Sequence, residues 1–429
     1  MKINIDVYDG RVEYSFNLES GDGNHPDGTT KMKNMPVYFE NELISEDTHN
    51  DILCLVGILL ANPFVGERVS FSIPVSEKFA TQSNKIITKY DVECDVDSSI
   101  SPREMPKDGK PGLAFSGGCD SSAALCVMPH STVPVFLERP MSEVSAYNSD
   151  AALTSCDLVS DLGYQMEIVE SNFEYIRDPV GFPSDLAHAS VLLLIADSLN
   201  LDSVNFGTVL ESAFGIGHEE FRDYGNGSHW KLFSTLFEIV GIDLSLPVCG
   251  VSEVGTALIC QKSPFGYINQ SCIRGAWKEP CMVCWKCFRK EMLACALGFQ
   301  TFDKELFSRT INSPDVIQKL EKVPISHENV LSFSVMGLGK QRDKTLLALK
   351  RRLLPGENLD FLRKWYSPSI YFVTKKYRQE IMSRILSIMP RMNVEESSLV
   401  ESWDINRFIK MKRTKNNSKR LISMISNQT

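Results

Sequence analysis

The chain has no apolar run long enough to cross a bilayer. Its longest, Ile52 to Ala61, falls far short of the roughly 20 residues a membrane helix needs and predicts a buried helix. The first residues, MKINIDVYDG, alternate apolar and polar side chains and carry no apolar signal core, which predicts a cytoplasmic protein without membrane contact. Glycine and proline are sparse, 26 and 20 of 429 residues, and no internal repeat stands out, so collagen-like, disordered and low-complexity readings are excluded. Basic residues are outnumbered 45 to 54 by acidic ones, which argues against nonspecific nucleic-acid binding by the whole protein. The deficit is uneven, because the stretch from Lys340 to the end holds 20 Lys+Arg against 8 Asp+Glu. Its charge of +12, against -21 for the rest, fits docking of tRNA or another acidic partner and equally fits solvated helix faces.

What is present describes a packed protein: 43% hydrophobic residues over a length that predicts two or three domains. Residues 1–105 read as a β-rich accessory domain, alternating in Ile3 to Val7, Val12 to Leu18 and Val69 to Val75, with one helical insertion near 50–62. An exposed linker is expected around Ser98 to Gly112. Residues 106–300 alternate short strands (Leu113 to Phe115, Val133 to Leu137, Met166 to Val169, Ser203 to Phe206) with helices (Ser121 to Met128, near 143–162, Asp185 to Leu199). That alternation predicts an α/β fold, a doubly wound parallel sheet whose ligands sit at the carboxyl ends of the strands. Residues 301–429 read as a basic helical region with a frayed end.

The most informative stretch is LAFSGGCDSS, Leu113 to Ser122. A strand runs into Ser116-Gly117-Gly118, and Asp120-Ser121-Ser122 open a helix whose first turn leaves backbone N–H groups unpaired for an anion. Asp120 would repel a phosphate directly, so its sensible role runs through a Mg²⁺ ion bridging carboxylate and phosphates. The bland alternative is an ordinary strand–turn–helix joint with a routine N-cap. A Walker A loop is excluded, since no GK[ST] follows in this segment.

Twelve cysteines in a reducing compartment suggest core thiols, metal ligands or nucleophiles before disulfides. Four of them, Cys272, Cys281, Cys284 and Cys287, fall within sixteen residues and can surround one tetrahedral Zn²⁺ in a closed, structural site. A redox CxxC pair leaves two thiols unexplained, and an iron–sulfur cluster uses similar ligands. Of the other candidates, Arg139 and Arg222 suit a phosphate or carboxylate. Glu211 suits a nucleobase or amine, or a helix cap. His188 reads as a core histidine and Cys119 as an inert thiol.

The SGGCDS string resembles the signature of the PP-loop ATP pyrophosphatase superfamily. Together with the C-x8-C-x2-C-x2-C cluster it closely resembles the 7-cyano-7-deazaguanine synthase (QueC-like) family, over about Leu113 to Lys290. The resemblance implies an AMP-forming C–N ligase-like enzyme that cleaves ATP to AMP and pyrophosphate, adenylates a carboxylate or amide oxygen and lets nitrogen attack. It places ATP-Mg²⁺ at Ser116, Gly117, Gly118, Asp120, Ser121 and Ser122, with Gly207 and Glu211 nearby, and makes Ser116, Asp120 and Arg139 catalytic. The acceptor would be deazapurine-related, another small molecule or a macromolecule. Large members with added domains also resemble components of anti-phage gene sets, which implies protein complex partners. The chain departs from the family where an asparagine–lysine–x–glutamate element is expected, reading Gly250-Val251-Ser252-Glu253. The rival readings are a tRNA sulfur transferase and a nucleotide-binding subunit without catalysis.

Overall fold

A computed structural model of the chain describes residues 1–142, 146–339, 341, 343–354 and 358–426. Among the described residues there are twelve strands: β1 (Lys2–Tyr8), β2 (Arg11–Asn17), β3 (Lys31–Met32), β4 (Val37–Glu40), β5 (Arg68–Phe71), β6 (Asp91–Glu93), β7 (Lys110–Phe115), β8 (Val133–Glu138), β9 (Glu167–Ser171), β10 (Arg177–Asp178), β11 (Leu201–Phe206) and β12 (Asp243–Ser245). Ten of them build one sheet in the order β12-β11-β7-β8-β9-β4-β2-β1-β5-β6, and β3 pairs with β10 apart from it.

The half from β12 to β9 is parallel throughout. In chain order its strands run 3-2-1-4-5 across the sheet, the doubly wound arrangement whose order reverses between β7 and β11. Strands covered on both faces need apolar side chains in both directions. Accordingly Leu113, Phe115 and Phe136 join the core on one side of the sheet, while Ala114, Val133, Val135 and Leu137 join the core on the other.

The amino-terminal strands continue the same sheet. β4 lies antiparallel to β9, with Phe39 opposite Ser171 and Glu40 opposite Glu170. Residues such as Tyr14, Phe39 and Leu59 share one buried cluster with Val135 and Val169. The alternation in β1 is that of a sheet strand with Ile3 and Ile5 inward. A second helix in this region, Glu77–Ile86, was not foreseen in the alternation; Ser76 caps it by accepting from the Phe79 N–H.

The stretch expected as an exposed linker is tied down. Arg103 is buried, pairs with Asp197 at 2.6 Å and donates to the Val240 and Gly241 carbonyls, and the final residues Lys110 to Gly112 already belong to β7. The expected helix near 143–162 is Asp150–Asp161, and its residues 143–145 lie outside the described ones. The expected helix Asp185 to Leu199 is broken into a 3₁₀ turn, Ala187–Ala189, and two short helices, Ser190–Leu193 and Ala196–Leu199.

The carboxyl-terminal region is helical. The helix Arg378–Ile388 packs back on the helix Cys119–Val127, where Ile381 and Ile385 share a buried cluster with Leu125 and Val127. The end expected to fray forms the helix Lys412–Ser426, because Leu421 and Ile425, four residues apart, are buried with Leu346 and Leu349 of the helix Lys344–Arg352. Among the described residues, no helix is long and apolar enough to cross a membrane.

Candidate functional site

The chain turns sharply where β7 ends. Gly117 has φ +69°, and a side chain there would press on Ser155 at 3.2 Å. Gly118 then caps the helix Cys119–Val127 with its backbone, leaving the capping to be done from elsewhere. Ser271 does part of it: its hydroxyl accepts from the Cys119 N–H at 3.3 Å. The Ser121 hydroxyl folds back to accept from the Ser116 N–H and lies 3.1 Å from the Ser116 hydroxyl. The Ser122 N–H bonds the Gly118 carbonyl. The N–H groups of Gly117, Gly118, Asp120 and Ser121 have no acceptor among the described residues. Four such donors at the positive end of a helix dipole make a turn of the kind that can hold an anion.

This turn opens onto a cleft of about 440 Å³ at the carboxyl ends of β7, β8 and β11. Gly207, just past β11, forms the opposite lip, where a Cβ would stand 2.8 Å from the Asp120 carbonyl and the Ser121 nitrogen. Only glycine lets the two loops approach so closely. The switch point between β7 and β11 is therefore the place where the cleft forms.

Of the residues expected at the site, Ser116, Gly118, Asp120, Ser121, Arg139 and Gly207 line this cleft. Gly117 shapes the turn without lining it. Ser122 is fully buried on the core side of its helix, with no partner for its hydroxyl among the described residues. Glu211 is buried beneath the cleft, accepting from the Glu253 N–H at 3.1 Å and from Asn329 at 3.0 Å. Burial, reinforced by the Glu253 charge, pushes its carboxyl up to about 8. Arg139 reaches the cleft already engaged: it donates to both oxygens of Glu174 at 2.8 and 3.0 Å and lies 3.8 Å over the Tyr147 ring. Arg222 is paired with the exposed Glu219, away from the cleft. His188 is only partly buried and lines the cleft; burial and Arg139 push it down to about 4, so it is neutral at physiological pH.

Asp120 is held by residues that the sequence pattern did not single out. Its Oδ1 accepts from the Thr256 hydroxyl at 2.7 Å, and the Lys290 ammonium stands 3.9 Å away. Lys290 also pairs with Glu253 at 3.2 Å, and Glu253 receives Arg289 at 2.8 Å and lies 2.8 Å from His327. Burial opposes the charge on Glu253, but Lys290, Arg289 and His327 together hold it well below the ordinary carboxylate range. Burial likewise opposes the charge on Lys290, and Asp120 and Glu253 outweigh it and raise the ammonium. Lys286, one helical turn before Lys290, lines the cleft. Spacing of four residues on the helix Trp285–Ala296 was the one signal that set Lys286 and Lys290 on a common face.

Beside the cleft, the sulfurs of Cys272, Cys281, Cys284 and Cys287 all lie within 4.8 Å of one another. Cys281 and Cys287 are 3.8 Å apart, the separation expected for two thiolates each about 2.3 Å from one tetrahedral ion. Backbone N–H groups of Cys281 and Cys287 point at the sulfurs of Cys272 and Cys284, both at 3.4 Å. Hydrogen bonding from Cys287 pushes the Cys284 thiol down to about 5, the thiolate form a metal takes. The four cysteines can bind a metal such as zinc. Cys272 also lines the cleft, directly after Ser271, so the cluster fastens the segment that caps the turn at 116–122.

The basic stretch at the end of the chain presents Lys410, Lys412, Lys415, Lys419 and Arg420 to solvent.

Residues 232–404 match the model of a family of unknown function, DUF6395. The match contains the four cysteines, Glu253, Lys286 and Lys290 and leaves out the turn at 116–122. No curated protein and no solved structure matches the chain.

Proposed function

We propose that the cleft takes ATP as its Mg²⁺ complex and that the protein is an AMP-forming PP-loop enzyme. In this reading an oxygen of a carboxylate or amide on the acceptor attacks the α-phosphorus. The bond to the bridging oxygen of the β-phosphate breaks, pyrophosphate departs, and a nitrogen nucleophile then displaces AMP. The acceptor is a small molecule or a macromolecule. The observation that carries the reading is the set of four unpaired N–H groups beside the Asp120 carboxylate, facing a cleft at the switch point of a doubly wound sheet.

Each residue then has a task. The Gly117, Gly118, Asp120 and Ser121 N–H groups, with the Ser116 and Ser121 hydroxyls, receive the departing pyrophosphate, stabilising charge that grows as the bond breaks. Asp120 is the residue that would hold Mg²⁺, and the ion when bound neutralises phosphate charge. A carboxylate beside a phosphate seat fits such an ion, whose ligands are oxygens. Thr256 and Lys290 keep that carboxylate aimed. Lys286 supplies a cation at the cleft wall. Zinc at the four cysteines has a structural part, since no ligand position is left for chemistry.

Calorimetric titration with α,β-methylene-ATP in the presence of Mg²⁺ tests the reading without requiring the acceptor. Saturable binding by the wild type that Asp120→Asn and Gly207→Ala both lose supports it. A wild-type protein that takes up no nucleotide sinks it.

A further inference from the structure

Behind the anion-binding turn lies a second cavity, of about 420 Å³, walled by Gln270 to Cys272 on the cleft side. Two thiols that belong to no metal site meet in it, Cys119 from the first turn of the loop helix and Cys260 from the helix Glu253–Gln261. Their sulfurs are 3.8 Å apart, and the Cys260 thiol points at the Cys119 carbonyl at 3.3 Å. Thr256 closes the other side, its hydroxyl 3.9 Å from the Cys119 sulfur. Both thiols are buried against solvent, so the cavity is their access.

From this juxtaposition we infer a modification site: hydrogen peroxide converts Cys119 and Cys260 into a reversible disulfide that disables the anion-binding turn. The Cys119 thiolate attacks peroxide, an S–O bond forms as the O–O bond breaks, and the hydroxide released takes a proton and leaves as water. The Cys260 sulfur then attacks the sulfenic sulfur of Cys119; the S–S bond forms, the S–O bond breaks, and the departing hydroxide takes the Cys260 thiol proton and leaves as a second water. A dithiol reductant reverses the exchange. Cys119 is suited to the first step by its place in the first turn of a helix and by its opening onto the cavity.

The geometry makes the consequence local. Drawing the sulfurs from 3.8 Å to the roughly 2.05 Å of a disulfide ties a covalent bond to the residue whose N–H binds Ser271 and whose neighbours Gly118 and Asp120 carry the free donors. The effect on nucleotide rests on the function proposed above; the disulfide itself does not.

The test uses the full, zinc-loaded chain with about one equivalent of hydrogen peroxide, followed by peptide mapping without reduction. A Cys119–Cys260 linked peptide should form before zinc is released and before Cys126 or Cys156 is oxidised. In Cys260→Ser, dimedone should instead trap a sulfenic acid on Cys119. Oxidation that begins at the four-cysteine cluster, or no linked peptide once half the peroxide is consumed, overturns the inference. Binding of α,β-methylene-ATP should weaken at least tenfold in the linked form and return with dithiothreitol; unchanged binding by the linked form overturns the switching role. If the reduced protein binds no nucleotide while the disulfide forms, the proposed function falls and the modification site stands.

Discussion

Lys290 faces Glu253 at 3.2 Å and Asp120 at 3.9 Å, so one ammonium joins the carboxylate lining the cleft to the carboxylate buried beneath it. Glu253 is also the counter-ion of Arg289, whose side chain is 6% exposed. A buried ion pair broken from one side leaves its partner uncompensated, at a cost of about 3–5 kcal/mol. Glu253→Leu should therefore lower stability by an amount of that order in urea unfolding. A loss below about 1 kcal/mol would place Arg289 in contact with water and remove the cluster's structural part.

Asp120→Asn keeps the shape of the side chain and its contact with Thr256 while removing the charge. Its melting temperature should stay close to the wild type. Mg²⁺-dependent release of AMP and pyrophosphate, measured with labelled ATP once an acceptor supports turnover, should fall on the order of 100-fold. Undiminished turnover would deny the carboxylate its place at the ion.

Gly207→Ala adds one methyl group into the 2.8 Å gap against the Asp120 carbonyl. The backbone of the turn has to give way, since the neighbour is main chain. Affinity for α,β-methylene-ATP should drop at least about tenfold, or about 1.4 kcal/mol, for the loss of one such contact. Unchanged affinity would show that the two loops do not enclose the phosphates.

Glu211 makes stability depend on pH in a definite sense. Its carboxyl binds a proton more tightly in the folded protein, about 8 against an ordinary 4.5. The stabilisation it contributes is then complete below about 4.5 and is lost as the pH rises through about 8. Glu211→Gln cannot lose a proton, so urea titrations at pH 5.5 and 8.5 should show the variant losing less stability than the wild type between the two. The difference is bounded by about 1.4 kcal/mol per pH unit. Parallel losses in both proteins would mean that Glu211 is ionised throughout.

Cys284→Ser removes one ligand of four. Metal content by mass spectrometry should fall from one ion per chain towards none, and the melting temperature should drop with it, because ligand binding here is also folding energy. Cys126→Ser, outside the cluster, serves as the matched control. Full metal content in the first variant would reject the tetrathiolate site.

The parallel half of the sheet and the strand–turn–helix joint were legible because their signals are local: continuous apolar strands, two glycines, and a helix start within Leu113 to Ser122. The four cysteines were legible for the same reason, their spacing being short enough to close on one ion. The union of β4 with β9 was not, because a pairing between Phe39 and Ser171 leaves no mark in either segment. The partners of Asp120 escaped for a related reason. Thr256 and Lys290 reach it from helices more than a hundred residues away, and nothing in their own neighbourhoods distinguishes them from a capping threonine and a surface lysine. Glu211 and Ser122 were placed with the ligand by the family resemblance, and the helical turn carries both side chains into the interior.

The pairing of Phe39 with Ser171 has a price for anyone wishing to shorten the chain. Removing residues 1–105 would uncover a bare edge at β9 and strip Val135 and Val169 of the side chains packed on them. The remainder would meet other copies of itself along that edge. The amino-terminal quarter thus serves as a selvedge to the sheet that bears the cleft, and the smallest soluble form should retain it.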